Sequence, residues 1–154
     1  MSEIAEGAAA PDFEMAGPDG PIRLSDFKGK PLVLYFYPKD DTPGCTTENQ
    51  EFSALAADFA KAGIGLVGAS KDTVAKHAKF TAKYDLKAPL GSDPDGKVIE
   101  AYGSWVEKTL YGRQYMGIDR STFLIDKAGR IARIWRKVKV KGHAAEVLAA
   151  AKAL

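Results

Sequence analysis

Cysteine is nearly absent from this sequence: its 154 residues include one, Cys45, and only two histidines, His77 and His143. A lone cysteine excludes an internal disulfide, and with it the disulfide-stapled secreted domains. A zinc site built on several thiolates is excluded as well. The histidines show neither H-x-x-x-H nor H-E-x-x-H spacing, which leaves metal chemistry little to stand on. Charge of one sign is lacking too: 22 basic and 20 acidic side chains leave a formal net charge of +2. That is too near neutral for an overall attraction to nucleic acid or a membrane. The longest strongly apolar run, Leu32–Tyr37, falls far short of the roughly 20 residues a membrane span needs. The first ten residues carry two acids and no basic segment ahead of an apolar one, so they do not read as a signal peptide. A cytoplasmic protein with residues 1–10 frayed is expected. No repeat, low-complexity tract or linker divides the chain, and 1–154 reads as one domain.

What is present alternates between strand and helix signals. Pro11–Met15 and Pro21–Leu24 flank Gly17-Pro18-Asp19-Gly20, a turn signal that predicts a hairpin. Leu32–Tyr37 is β-branched and aromatic on both faces, as in a buried central strand. After a polar loop, Lys39–Gly44, the spacing of Phe52, Leu55, Ala56 and Phe59 predicts a helix over Cys45–Ala62, with Gly63 as its C-terminal cap. Ile64–Ala69 reads as a second buried strand, and Asp72 or Thr73 as the cap of a helix reaching Tyr84. A short helix is expected near Lys97–Tyr102, a hairpin from Ser121–Asp126 and Ile131–Trp135, and a last helix over Gly142–Leu154. This order suggests an α/β fold, a mixed sheet with helices on both faces. In such sheets sites gather beyond the carboxyl ends of the strands, where the loop bearing Cys45 falls.

By residue type alone a lone cysteine is more often a buried small hydrophobe than a nucleophile. Position shifts the balance. Cys45 follows Thr42-Pro43-Gly44 and stands in the first turn of a helix, where unpaired amides and the helix dipole favour an anion. Ionisation by itself supplies little catalysis. Taking a thiol from a pKa of about 8.5 to about 6 raises the thiolate fraction at neutral pH only about thirtyfold. Enzymes commonly accelerate reactions at least about a millionfold, so most of the effect must come from groups that position the substrate and stabilise the developing charge. Thr42, three residues before Cys45, has a hydroxyl that can turn toward sulfur and a bound oxygen. Pro38 can screen the sulfur from water. For a cation the local sequence offers only Lys39, and Arg120, at the start of a distant strand, is a second candidate.

Pro38-x-x-x-Thr42-x-x-Cys45 matches the peroxiredoxin active-site signature. Thr42-Pro43-Gly44-Cys45-Thr46-Thr47-Glu48 resembles the bacterioferritin-comigratory-protein (PrxQ) branch, as do Tyr37-Pro38-Lys39 and the stretch from Tyr115 to Asp126. The likeness runs from about Pro11 to the C-terminus. It implies a thioredoxin-like fold and reduction of hydrogen peroxide or organic hydroperoxides, in which Cys45 is the peroxidatic cysteine, Thr42 and Arg120 bind the thiolate and peroxide oxygens, and Pro38 shields them. The thiolate becomes a sulfenic acid, with no metal, flavin or nicotinamide taking part directly. Many members of the branch resolve that acid with a second cysteine five residues on, here Gln50, or in the next helix, near Thr81. With neither present, the resemblance implies a one-cysteine enzyme reduced by an outside thiol, either thioredoxin or glutathione with glutaredoxin.

Other signals weigh less. Gly63-Ile-Gly65-Leu-Val-Gly68 spells a dinucleotide fingerprint, but a helix precedes it and the glycines run through a strand. Asp93-Pro94-Asp95-Gly96 resembles a calcium loop without the later ligands and is taken as a turn. His77 shares a helix face with Phe80 and Tyr84 and is expected to be packed or partly exposed. Lys127–Lys141 holds seven basic residues and no acid. A nucleic-acid surface is conceivable there, but an edge hairpin kept soluble by charge is favoured. Trp105, Tyr111 and Tyr115 either line the rim of the site or pack beneath it. A thiol–disulfide oxidoreductase would need C-x-x-C where this chain has Thr42-x-x-Cys45, and a redox sensor would show no sustained turnover. A monomer is expected, since long exposed apolar stripes are lacking.

Overall fold

The computed structural model describes residues 4–154, and its centre is β3 (Leu32–Phe36), in which all five residues are buried. Such a strand needs cover on both faces. Val33, Tyr35 and the following Tyr37 enter one core with Phe52, Phe59, Phe80 and Val147. Leu32, Leu34 and Phe36 enter a second with Val67, Ile99, Tyr102 and Phe123. The continuous apolar run in the sequence is thus two interleaved period-2 patterns.

The strands β1 (Glu14–Gly17), β2 (Gly20–Arg23), β4 (Gly65–Ser70), β5 (Leu90–Ser92), β8 (Ser121–Ile125) and β9 (Ile131–Trp135) join β3 in the order β2-β1-β5-β4-β3-β8-β9. β3 pairs parallel with β4 and antiparallel with β8, so the sheet is mixed, as expected. Helices α1 (Pro43–Ala54), α2 (Ala56–Lys61), α3 (Val74–Tyr84) and α5 (His143–Lys152) supply the first core, and α4 (Lys97–Ala101) supplies the second. No helix among the described residues is long and apolar enough to cross a membrane.

The helix expected over Cys45–Ala62 is two helices. At Leu55 the backbone turns to φ −100°, ψ 1°, and its amide bonds back to Phe52 at 3.1 Å, three residues away rather than four. Phe52 and Phe59 enter one core across the break, ring centroids 6.2 Å apart. Gly63 caps the pair as the sequence suggests. Its φ is +73°, and the amides of Ile64 and Gly63 return to Phe59 and Ala60 at 2.9 and 3.0 Å, the crossed pair of bonds that closes a helix on a left-handed residue. Thr73, not Asp72, caps α3, accepting from the Lys76 amide at 3.2 Å. The other two glycines of the false dinucleotide fingerprint serve packing: a Cβ on Gly65 would stand 2.5 Å from the Phe27 ring, and one on Gly68 2.5 Å from the Tyr35 ring.

Residues 7–10 are tied down rather than frayed, contrary to the sequence expectation. The Gly7 amide donates to Ile131 at 2.7 Å, that of Ala10 to Gly129 at 2.9 Å, and Ala9 bridges Arg130. The first three residues of the stretch expected to fray lie outside those described. These bonds partly cover β9, which is indeed an edge strand. Several basic groups there have structural partners. Arg130 donates to the Gly7 carbonyl, Arg136 to those of Tyr102 and Gly103, and Arg133 lies 4.5 Å over the Trp135 ring.

Among the elements with no expectation behind them are β5 and the separate hairpin of β6 (Trp105–Leu110) and β7 (Arg113–Ile118). Tyr111, almost fully exposed, and Gly112 form its tip with φ of +51° and +78°, the backbone of a tight two-residue turn. Trp105 packs on the second core beneath Lys71, and Tyr115 is exposed on β7.

α5 is anchored at its start by His143, whose Nε2 lies 2.7 Å from the Thr122 hydroxyl. Burial holds the imidazole neutral, its pKa lowered to about 4 against a pull from Glu146 and with help from Arg120. A folded pKa below the unfolded value gives stability that is present above about pH 6.5 and is lost as pH falls through about 4. His143→Asn should therefore cost less at pH 4 than at pH 7, by at most about 3 kcal/mol, as read by urea unfolding at both pH values.

Candidate active site

The sheet register explains why Cys45 and Arg120 meet. β3 runs out at Phe36, opposite Ser121 of β8, so the residue before Ser121 lies beside the chain leaving β3. That chain passes Tyr37 and Pro38, crosses a short loop, and enters α1 with Thr42 as its N-cap and Pro43 at the first helical position. Arg120 then reaches across, and its Nη2 donates to Cys45 Sγ at 3.3 Å. Gly44 makes room for it: a Cβ there would lie 3.1 Å from Nη2.

The Thr42 hydroxyl does not cap α1. It donates to the Lys39 carbonyl at 2.8 Å, and no hydrogen bond joins it to the sulfur among the described residues. The early amides of α1 are therefore left to whatever anion occupies the site. Pro38 is half-buried at the loop entrance, and Lys39 is exposed, so the distant Arg120 is the cation at the sulfur and the local Lys39 is not. Cys45 is free and 1% exposed.

Residues unassigned by sequence reasoning complete the site. Glu48, one turn beyond Cys45 on α1, accepts from Arg120 Nη1 at 2.6 Å. Its other oxygen is buried and has no hydrogen-bond partner among the described residues. Burial pushes the Glu48 carboxyl up to about 7, outweighing the opposing pull of Arg120. Burial works against the charge on Arg120 as well, but Glu48 and Cys45 more than offset it and the guanidinium pKa is raised. Asn49 donates to the Cys45 carbonyl at 2.9 Å and accepts from the Tyr35 hydroxyl at 2.7 Å, with the Tyr35 ring stacked on Phe52 at 4.2 Å. The backbone at the sulfur is thereby fastened to β3. Positions 48 and 49, three and four beyond Cys45, share its helix face. That spacing was the available signal.

Glu48 sets an expectation for pH. Below about pH 7 it is largely neutral, and the positive charge of Arg120 is then shared with no carboxylate. The rate of Cys45 oxidation followed from pH 5.5 to 8.5 should carry an inflection near pH 7 that Glu48→Gln removes.

Residues 7–134 match the model of the AhpC/TSA family. A peroxiredoxin Bcp from Bacillus subtilis is 51% identical over 143 residues, covering 92% of this chain and 91% of its own. The crystal structure of a cysteine-to-serine mutant of PrxQ from Xylella fastidiosa superposes with a TM-score of 0.92 at 40% identity, over 99% of this chain and 98% of that one. The bacterioferritin comigratory protein of Xanthomonas campestris, studied for alkyl peroxide reduction, superposes at 0.87 with 46% identity, over 92% and 90%.

Proposed function

The chain belongs to the AhpC/TSA family and is a peroxiredoxin of the Bcp/PrxQ kind with a thioredoxin-like fold, and from that premise we propose that it reduces hydrogen peroxide and organic hydroperoxides at Cys45 in a one-cysteine cycle. The observation that carries this reading is the Arg120 guanidinium 3.3 Å from the sulfur of the sole cysteine, at the open N-terminus of a helix.

The thiolate attacks the terminal oxygen of the hydroperoxide and forms an S–O bond as the O–O bond breaks. Sulfur is oxidised to a sulfenic acid. The other oxygen leaves with the electron pair and takes a proton from solvent, giving water or an alcohol. Negative charge thus moves from sulfur to the departing oxygen. Arg120 suits both ends of that path: Nη1 is held by Glu48, while Nη2 has one hydrogen for sulfur and a second for oxygen. The Thr42 hydroxyl hydrogen is committed to Lys39, so its oxygen is left to accept the peroxide O–H and orient it. Pro38 limits water at the sulfur.

Return to the thiol needs two outside thiol groups, since Gln50 and Thr81 cannot act. The first forms a mixed disulfide with Cys45 and releases water. The second displaces the reduced protein. Thioredoxin, or glutathione with glutaredoxin, is the class of donor, and a cytoplasmic setting suits a lone cysteine kept reduced. The test is peroxide consumption with each donor system in excess. Many turnovers per Cys45 with at least one donor support the cycle. One turnover and no more with either would make Cys45 a sensor thiol instead.

A further inference from the structure

α3 carries a basic stripe that the chemistry at sulfur does not use. Lys76, Lys79 and Lys83 are exposed and stand at i, i+3 and i+7, so they form one line about 10 Å long. His77 and Phe80 turn the other side of the helix into the core. Lys39, exposed on the active-site loop, joins the stripe around a shared cavity of about 230 Å³. The acids of that cavity are held by the protein's own groups. Asp40 is buried, its Oδ1 accepting from the Tyr37 hydroxyl at 2.5 Å and its Oδ2 lying 2.7 Å from His77 Nδ1. Asp72 Oδ2 accepts from the Asp40 amide at 2.9 Å and the Ser70 hydroxyl at 2.6 Å. Asp41 pairs with Lys83 at 2.8 Å. Lys39, Lys76 and Lys79 make no ion pair among the described residues.

The stripe does nothing for the helix that bears it. Lys76 lies in the first turn of α3, where the helix dipole disfavours a cation, and no acid in that turn offsets it. Lys79, three residues on, adds a like charge at a spacing that works against the helix. Its place in the fold is more telling. α3 and α1 follow β4 and β3, which pair in parallel, so both helices start from the same edge of the sheet. Asp40 and Asp41 fasten the loop between β3 and α1 to α3. Three unpaired cations therefore stand beside the segment that delivers Cys45.

We propose that this patch is the docking surface for the outside donor, an acidic dithiol protein whose carboxylates pair with Lys39, Lys76 and Lys79. This rests on the reading that an outside thiol restores Cys45. A hydroperoxide is uncharged or small and has no use for three cations away from the sulfur. The cavity is smaller than the about 300 to 1,000 Å³ of ordinary small-molecule sites, and its lysines are spread over two turns of helix and a loop. A protein surface can meet all of them while its own sulfur faces the first turn of α1. Complementary charge of this kind raises encounter rates about 10- to 1,000-fold and loses its effect as salt is added.

The test compares the parent with Lys76→Glu/Lys79→Glu in three reactions. Oxidation of Cys45 by hydrogen peroxide and its reduction by 2-mercaptoethanol, which is uncharged, should be unchanged. Turnover with a thioredoxin of acidic net charge, kept reduced and varied in concentration, should lose at least about tenfold in kcat/KM at about 0.01 M ionic strength, with kcat held. Raising ionic strength to about 0.15 M shortens the Debye length from about 30 to about 8 Å and should close most of that gap. Lys76→Arg/Lys79→Arg should keep the parent's rate. Lys76→Gln/Lys79→Gln should lose less than the glutamate pair, and it serves alone if that pair does not fold. The proposal is overturned by a glutamate pair that turns over with thioredoxin as the parent does, by a loss that ignores salt, or by a parent that only small thiols reduce. An equal loss with glutathione, anionic but small, overturns it as well and gives the patch to the tripeptide. Failure of the peroxidase reading is seen separately, in the parent, as a Cys45 inert to peroxide.

Discussion

Cys45→Ser should leave a folded protein whose peroxide consumption equals the uncatalysed background, a loss of about a millionfold or more if the parent is an ordinary enzyme. A serine hydroxyl at this position keeps the approach of Arg120 and the helix N-terminus, so the anion-binding apparatus survives while the nucleophile does not. Sulfur is required because only a thiol is appreciably ionised near neutrality and is then oxidised through a stable sulfenic acid. Replacing a buried sulfur by an oxygen of similar shape should cost little stability, so Tm separates lost chemistry from lost fold. Stopped-flow peroxide consumption with excess reductant reads the effect, and residual turnover above background would point to a second reactive group.

Arg120→Met should slow Cys45 oxidation by about 10² to 10³, the range seen when one preorganised donor to a developing charge is removed. Alkylation by iodoacetamide, which needs the thiolate but no help at a departing oxygen, should fall far less. Ionisation changes are worth only about thirtyfold for a thiol moving between pKa values of about 6 and 8.5. The gap between the two losses measures what Arg120 does beyond holding the thiolate. Arg120→Lys should restore little of it, because an ammonium cannot hold Glu48 and serve sulfur and oxygen together with the geometry of a planar fork. Equal losses of peroxide and alkylation rate would reduce Arg120 to a thiolate holder.

How much of this was written in the sequence depends on range. The central strand, the cap at Gly63 and the β8–β9 hairpin rest on local pattern and turn residues, and they stand where the sequence places them. β5 is three residues, Leu90–Ser92, too short for any period to show. β6 and β7 contain exposed apolar groups such as Leu110 and Met116, which blur the alternation that would mark them. At the site, Cys45 was legible because the residues that set its helix turn are its neighbours in sequence. Arg120 needed the register of β3 on β8 to bring it 75 positions back along the chain. Sequence proximity instead offered Lys39, which faces solvent. Glu48 and Asn49 were legible in principle as the same helix face, but nothing local says that a carboxylate will be buried there with one oxygen unpaired. The sequence reads His77 as packed or partly exposed; it is buried, and its bond to Asp40 depends on α3 and the loop meeting, which no local pattern shows.

The central claim is that this site is built for peroxide, and its most direct test is the rate at which the reduced protein loses its Cys45 thiol to equimolar hydrogen peroxide, by rapid quench and intact mass. The account expects oxidation several orders of magnitude faster than that of free cysteine, with one oxygen atom gained per chain. A thiol that reacts no faster than free cysteine, with an organic hydroperoxide as well as with hydrogen peroxide, would contradict it.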